Sequence, residues 1–340
     1  MIRRRRLLAA SSVIAVPALF PAPFVARAQA AVSMRLHTLV TSPHPYNTAA
    51  EWFGEEIAKR TGGAVRSTLF PSAQLGPDRA VLDEMRLGTI DLMISTTNNA
   101  AAQVPQYNVF SLAYLIPDYD AFRRAMRADG PIAARIQALY EERRTGLVLL
   151  GFMMGGTRNL SAVRPVRTLD DLKGLKMRVP PSPAVARQWQ ALGTLPVTIN
   201  WAEIYTSVQT GVVQALESSL SGYIAERFYE VAPHLSLTMH EVQVGHFTMS
   251  ARSLAKIPEA HRATVRATAA EAMEVGTRAG IEADEAVVRR ARTEFAGRIT
   301  VHEPDRAAFA RVLAPLQDEL AQTYNARDLL EMVRAAVRTV

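Results

Sequence analysis

The chain has 340 residues, of which 49% are hydrophobic and 21% charged, with a formal charge of +7 and no cysteine. Without cysteine there can be no disulfide, thiolate metal site, iron–sulfur cluster or cysteine nucleophile. Residues 1–28 hold five arginines and no acid, so the formal charge of the remainder falls to +2, and nothing there argues for a nucleic-acid partner.

The N-terminus reads Met1-Ile2-Arg3-Arg4-Arg5-Arg6, runs apolar from Leu7 to Val25, and reaches the small-x-small triplet Ala26-Arg27-Ala28. That is the pattern of a cleavable export signal, with Ala28-Gln29-Ala30 as a second place to cut. Arg4-Arg5-Arg6-Leu7-Leu8 resembles a twin-arginine signal, the alternative being a general secretory one. Pro17, Pro21 and Pro23 interrupt the apolar run, which a membrane span of about 20 residues would not tolerate. No later segment is long and apolar enough to span either. The expectation is an exported periplasmic chain, not membrane-spanning once cleaved, and about 310 residues remain, enough for two lobes.

Met34 to Val40 predicts a strand that runs into the turn Thr41-Ser42-Pro43-His44-Pro45. Ala49, Trp52, Phe53 and Ile57 share one helical face, closed by Thr61-Gly62-Gly63. Val65–Phe70 predicts a strand, Asp78 a cap for a helix closed by Gly88, and Ile90–Ile94 a buried strand. Strands and helices alternating in this way imply an α/β fold, whose parallel strands present ligands at their carboxyl ends. A further apolar run spans 146–154, a second lobe starts near 155, and strands at 175–179 and 196–199 flank a helix carrying Val185, Trp189 and Leu192. A helix is expected over 202–210.

Two segments echo each other without gaps. Met85–Thr96 aligns on Val208–Ser219, each reading as helix end, glycine, strand and then hydroxyls, as two similarly built lobes facing one cleft would. From Glu259 to about Phe295 the chain has no proline and keeps small or apolar residues at helical spacing. This predicts one helix on the order of 50 Å long, lying across both lobes. The expected division is 32–155 with about 244–283 in lobe I, and 156–243 with about 284–340 in lobe II.

No nucleophile elbow, phosphate loop, dinucleotide fingerprint or zinc helix motif is present. His234, His240 and His246 fit no ligand spacing, so neither a metal nor a cofactor is expected. Asp170-Asp171 reads as a helix cap and Glu55-Glu56 as a solvated face. Arginines stand out instead. Arg178 sits near the carboxyl end of a strand, before Pro180-Pro181, and Arg158 follows a glycine bend at the lobe crossing. A guanidinium in a dry cleft can hold a carboxylate through two charge-assisted hydrogen bonds, whereas on a solvent face it would be an ordinary surface charge.

Ordered motifs across nearly the whole chain after residue 28 resemble the solute-binding proteins of tripartite ATP-independent periplasmic (TRAP) transporters, of the dicarboxylate-binding type. They are Phe70-Pro71-Ser72-Ala73-Gln74-Leu75-Gly76, Gly88-Thr89-Ile90-Asp91, Asp170-Asp171-Leu172-Lys173-Gly174-Leu175-Lys176-Met177-Arg178-Val179, Ala191-Leu192-Gly193, Glu203-Ile204-Tyr205, Gln209-Thr210-Gly211-Val212-Val213 and Phe228-Tyr229-Glu230-Val231. The resemblance implies a two-lobed binding protein, not an enzyme, that closes on a small organic acid and hands it to a membrane permease. It implies that Arg178 pairs with the ligand carboxylate, that Arg158 assists, and that Trp201 packs on the ligand. Where the family carries an asparagine after the glutamate, this chain has Ser218 after Glu217, so a hydroxyl replaces an amide donor. In the first lobe His44, Tyr46, Thr96, Asn98 and Asn99 end strands at the cleft and could read the distal part of the ligand. An ABC-type binding protein and a secreted enzyme are the alternatives to a TRAP receptor.

Overall fold

The computed structural model describes residues 31–338. The first alternation is β1 (Val32–His37), α1 (Pro45–Arg60), β2 (Val65–Phe70), α2 (Asp78–Leu87), β3 (Leu92–Thr96) and the short α3 (Thr97–Ala100). Pro45 opens α1 at a position that needs no amide hydrogen. His44 caps the helix, its Nδ1 accepting from the Tyr46 amide. Ala49, Phe53 and Ile57 are buried and Trp52 half-buried. At the end of α2, Gly88 adopts φ 78°, the left-handed stop expected of it. Asp78 departs from expectation: the N-cap of α2 is Pro77, and the Asp78 carboxylate is buried, accepting from Ser95 and from Asn99 Nδ2 (2.6 Å) and facing His37 Nε2 at 3.0 Å.

The chain continues through α4 (Tyr119–Ala125), α5 (Pro131–Glu142), β4 (Leu147–Ala162), β5 (Lys176–Val179), α6 (Pro183–Ala191), β6 (Leu195–Thr198), α7 (Ile204–Gln209), β7 (Ala215–Ser219) and α8 (Leu220–Ala225). It ends with β8 (His234–Ser250), α9 (Ala251–Lys256), α10 (Glu259–Arg292), β9 (Thr300–His302), α11 (Arg306–Thr323) and α12 (Arg327–Arg338). The helix expected over 202–210 begins as a 3-10 turn at Trp201–Glu203 before becoming α7, and Asp170-Asp171 opens a similar short turn.

One sheet joins the nine strands in the order β2-β1-β3-β8-β4-β7-β5-β6, with β9 beside β8. β1 pairs in parallel with β2 and β3, and β5 in parallel with β6 and β7, while β3–β8, β8–β4 and β4–β7 are antiparallel. The order therefore reads alike from either edge, and the internal echo has a structural meaning. Leu36 pairs with Leu92 as Met177 pairs with Ala215, so β3 and β7 hold equivalent places, and Thr96 and Ser219 end them.

β4 does not stop near 155. It runs through Gly155-Gly156 to Ala162, with register shifts against β8 between Leu149 and Gly151, Met154 and Thr157, and Arg158 and Leu160. Such shifts let a long strand bend and twist without losing its partner. At about 3.3 Å per residue, β4 and β8 each extend roughly 50 Å. The 34 residues of α10 extend a similar distance at about 1.5 Å each.

That helix crosses both ends of the sheet. Val265, Ala269 and Met273 join a core with Leu36, Phe53, Ile94 and Phe247, and Val287 and Ala291 join another with Ile204, Leu216, Tyr223 and Phe228. Residues of the opposite sheet face, among them Met93, Phe110, Tyr140, Met154, Met177 and Leu330, form a third core that links the two ends. The last helix differs from the expected division of the chain. α12 packs on α4 and α5, both within 32–155, because its buried face (Leu329, Leu330, Val333) completes the core they share.

Where α10 passes over β4, a Cβ on Gly280 would stand 2.7 Å from the Met154 carbonyl oxygen and 3.1 Å from the Gly156 amide nitrogen. Helix propensity alone favours alanine over glycine by about 1 kcal/mol. Overpacking against rigid backbone should outweigh it, so Gly280→Ala is expected to lower unfolding free energy by about 1–3 kcal/mol in urea titration. A stabilised variant would show that the crossing is looser than drawn.

Candidate ligand-binding site

A small cavity lies where the two halves of the sheet meet. From the first half it is lined by Leu39, Val40, His44, Tyr46, Thr96 and Asn99. From the second come Arg158, Arg178, Pro180, Trp201 and Ser219, with Gln243 contributed by β8. It adjoins a wider mouth that shares Leu39, Asn99 and Trp201 with it.

Seven of the nine residues singled out from the sequence thus meet in one cavity: Arg178, Arg158, Trp201, Thr96, Asn99, His44 and Tyr46. Ser218 is buried one residue earlier on β7, paired with Asn159, and the serine that lines the cavity is its neighbour Ser219, whose hydroxyl also caps α8 by accepting from the Gly222 amide. Successive strand residues face opposite ways, which separates the two serines. Asn98 is fully buried and donates to Glu241 Oε1 at 3.3 Å, whereas adjacent Asn99 lines the cavity.

The two arginines are in different electrostatic states. Arg158 Nε donates to Glu217 Oε2, its Nη2 to the Glu217 carbonyl (3.1 Å) and its Nη1 to Gln243 Oε1 (3.1 Å). Burial works against the charge on Arg158, but the Glu217 carboxylate more than offsets it and holds the guanidinium above its usual range. Burial likewise opposes the charge on Glu217, and Arg158 overcomes it, holding the carboxyl well below the ordinary range. His240 Nε2 lies 3.6 Å from the same carboxylate and burial keeps the ring neutral. Gln243 passes the network on, donating from Nε2 to Tyr46 Oη at 2.8 Å and so joining the two halves.

Arg178 is only 2% exposed, yet among the described residues no carboxylate lies within ion-pair distance of it. Its Nε donates to the Ile199 carbonyl at 3.0 Å, and its guanidinium carbon stands 5.8 Å from the Trp201 ring centre. Burial pulls it down to about 9, Glu217 recovering part of the loss and Arg158 adding to it. A buried cation without its own counter-ion costs several kcal/mol unless an anion arrives.

Sequence reasoning missed four residues here. Ser219 was within reach, since the echo aligns it on Thr96. Glu217, Gln243 and Glu241 gave no signal, because their roles depend on which strands lie side by side. The histidines go their own ways: His234 faces His302, and His246 bonds Thr248.

Glu241 sets a pH dependence. Burial, with Glu217 adding and Arg158 opposing, pushes its carboxyl up to about 8, so it is neutral at pH 7. Above that pH it ionises and cancels positive charge beside Arg158. Affinity for an anion should therefore hold from pH 6 to 7 and fall by about tenfold by pH 9. Calorimetry across this range should give that decline in the native chain and a shallower one in Glu241→Gln, where only the loss of charge on Arg178 near pH 9 remains.

Residues 36–323 match the family model DctP, bacterial extracellular solute-binding protein, family 7. A solute-binding protein of Sulfitobacter sp. strain NAS-14.1 is 32% identical over 314 residues, covering 92% of this chain and 94% of its own. Among solved structures, a TRAP periplasmic solute-binding protein of Bordetella, with density attributed to pantoate, superposes with a TM-score of 0.81 at 28% identity, over 89% of this chain and 98% of that one. Another from Bradyrhizobium sp., in complex with galacturonate, gives 0.81 at 26% identity over 89% and 99%.

Proposed function

The chain belongs to the bacterial extracellular solute-binding proteins of family 7, and from that premise we propose that it captures a small organic acid in the cleft around Arg178 and delivers it to a TRAP membrane permease. One observation carries the reading of the site: Arg178 is a buried guanidinium whose charge no described carboxylate balances. A ligand carboxylate supplies that balance and takes the two terminal nitrogens in parallel. Arg158, already paired with Glu217, holds the shape and potential of the cleft and assists through its positive field. Trp201 packs against the acid from the side of Arg178. Ser218, Thr96, Asn98, His44 and Tyr46 are read as contributors to the same site, Ser218 and Asn98 from just behind the lining.

Closure is part of the proposal. Two lobes, residues 32–155 with about 244–283 and 156–243 with about 284–340, would hinge on β4, β8 and α10, the last helix excepted since it packs on α4 and α5. In the present form Thr41 of the first lobe donates from its amide to Glu226 Oε1 (2.8 Å) and from its hydroxyl to Oε2 (3.2 Å), joining the turn ahead of α1 to the C-cap of α8. Bonds of this kind stabilise the closed state that a permease would recognise. The place of action is the periplasm, as for the Bordetella and Bradyrhizobium proteins. No helix of the described residues is long and apolar enough to cross a membrane. The export signal at 1–28, and with it the twin-arginine route, lies outside the described residues. The protein acts as a receptor, not an enzyme. No specific observation favours the ABC-type receptor or the secreted enzyme raised by the sequence.

A thermal-shift screen of organic acids tests this. A true ligand at a hundredfold its dissociation constant adds about 2.7 kcal/mol of stability. Arg178→Ala should lose that shift, because breaking a desolvated charged pair costs about 2 kcal/mol or more. Undiminished binding by the variant would sink the assignment of Arg178.

A further inference from the structure

The polar groups that line the inner cavity are unbalanced in both charge and hydrogen bonding. In charge, the buried cluster holds two cations, Arg158 and Arg178, against one acid that pairs with them, Glu217; among the described residues Glu241 makes no ion pair with either arginine, accepting instead from Asn98 at 3.3 Å, and burial favours its neutral form. One negative charge on a ligand closes that balance; a second finds no cation. His44 cannot supply one, because burial holds its ring neutral, down to about 3. At the mouth the lining cation Arg79 is exposed and shares the wall with the carboxylates of Asp78 and Glu203, so the mouth carries no net positive charge.

In hydrogen bonding, donors outnumber acceptors. His44 Nδ1 accepts from the Tyr46 amide, so in the neutral ring the hydrogen is on Nε2, which can donate. Tyr46 Oη accepts from Gln243 Nε2 and keeps its own hydrogen free to donate. Trp201 Nε1, a donor only, is buried without a partner, and so is the Thr96 hydroxyl. Gln243 has its oxygen on Arg158 and its amide on Tyr46, which leaves the Asn99 carbonyl oxygen and the Thr96 and Ser219 hydroxyls as the side-chain acceptors on offer. Buried donors without partners are costly, so the fitting ligand brings oxygen acceptors to them. The remaining wall is apolar, formed by Leu39, Val40, Pro180 and the Trp201 ring.

We propose that the cleft selects a monocarboxylate carrying a neutral oxygen acceptor on a small apolar skeleton, a 2-oxo acid being the simplest case, and discriminates against dicarboxylates. The inference rests on Arg178 as the carboxylate anchor. It adds that the rest of the cleft reads uncharged oxygen through Trp201, Tyr46, His44 and Thr96. A second carboxylate would be desolvated without a counter-charge, and an unsubstituted acid would leave the donors unsatisfied.

Calorimetric titration with four probes decides the matter: 4-methyl-2-oxopentanoate, 4-methylpentanoate, 2-oxoglutarate and succinate. The 2-oxo monoacid should bind best, its unsubstituted counterpart about tenfold or more weaker, and both dianions about a hundredfold weaker. Trp201→Phe keeps an aromatic face but loses the N–H and part of the ring area, so it should weaken both monoacids and weaken the 2-oxo acid more, narrowing the gap between the two. Dicarboxylates binding as tightly as the 2-oxo acid, in a manner abolished by Arg178→Ala, would overturn the selectivity and leave the carboxylate anchor standing. Equal affinity for the two monoacids would overturn the acceptor requirement alone. If no acid of either kind bound, the anchor itself would fall, and the inference with it.

Discussion

The cleft depends on one pairing, Arg158 with Glu217, made between β4 and β7 in the dry centre of the molecule. Two guanidiniums near one another in low dielectric repel, and neither could remain there without an anion. Glu217 settles Arg158 completely and Arg178 only in part. Buried ion pairs contribute little to net stability once desolvation is counted, so the value of this one is in what it arranges. It fixes the orientation of Arg158, which orients Gln243, which in turn positions Tyr46 on the opposite half. The second arginine is left as a buried charge that no described carboxylate pairs with.

The rest of the architecture brings that pairing to the right place. Parallel strands β1 and β3 on one side and β5 and β7 on the other end at a common cleft, in keeping with ligands binding beyond the carboxyl ends of parallel strands. Because the sheet order is mirrored about β8 and β4, the ends of β3 and β7 deliver Thr96 and Ser219 to the same cavity. Two strands and one helix, each on the order of 50 Å long, run through both halves, so the cleft cannot open by swinging on a slack linker. Any opening would have to bend continuous elements. The register shifts of β4 and the glycines facing α10 are where such bending meets least resistance.

Local pattern made much of this legible beforehand. Proline and glycine punctuation marked α1 and α2, and unbroken small-residue spacing marked α10, since these signals act within a turn or two of the chain. β4 was harder: Gly155 and Gly156 read as a boundary, yet long pairing with β8 carries the strand through them. The local pattern at Asp78 predicts a cap because a carboxylate before a helix usually is one. Its neighbours His37 and Ser95 come from other strands, and their hydrogen bonds outcompete the helix terminus.

By itself the sequence determined the α/β alternation, the spanning helix, the family, and two arginines worth noting, Arg178 near a strand end and Arg158 after a glycine pair, because each is written in residues close together in the chain. Only the tertiary structure decided which arginine is already paired, which of two adjacent serines and which of two adjacent asparagines reach the cavity, and where α12 docks. Those outcomes follow from strand pairing and side-chain facing across separations of tens to hundreds of residues. Charge balance in a desolvated space is a property of the assembled neighbours, and no local stretch of chain contains it.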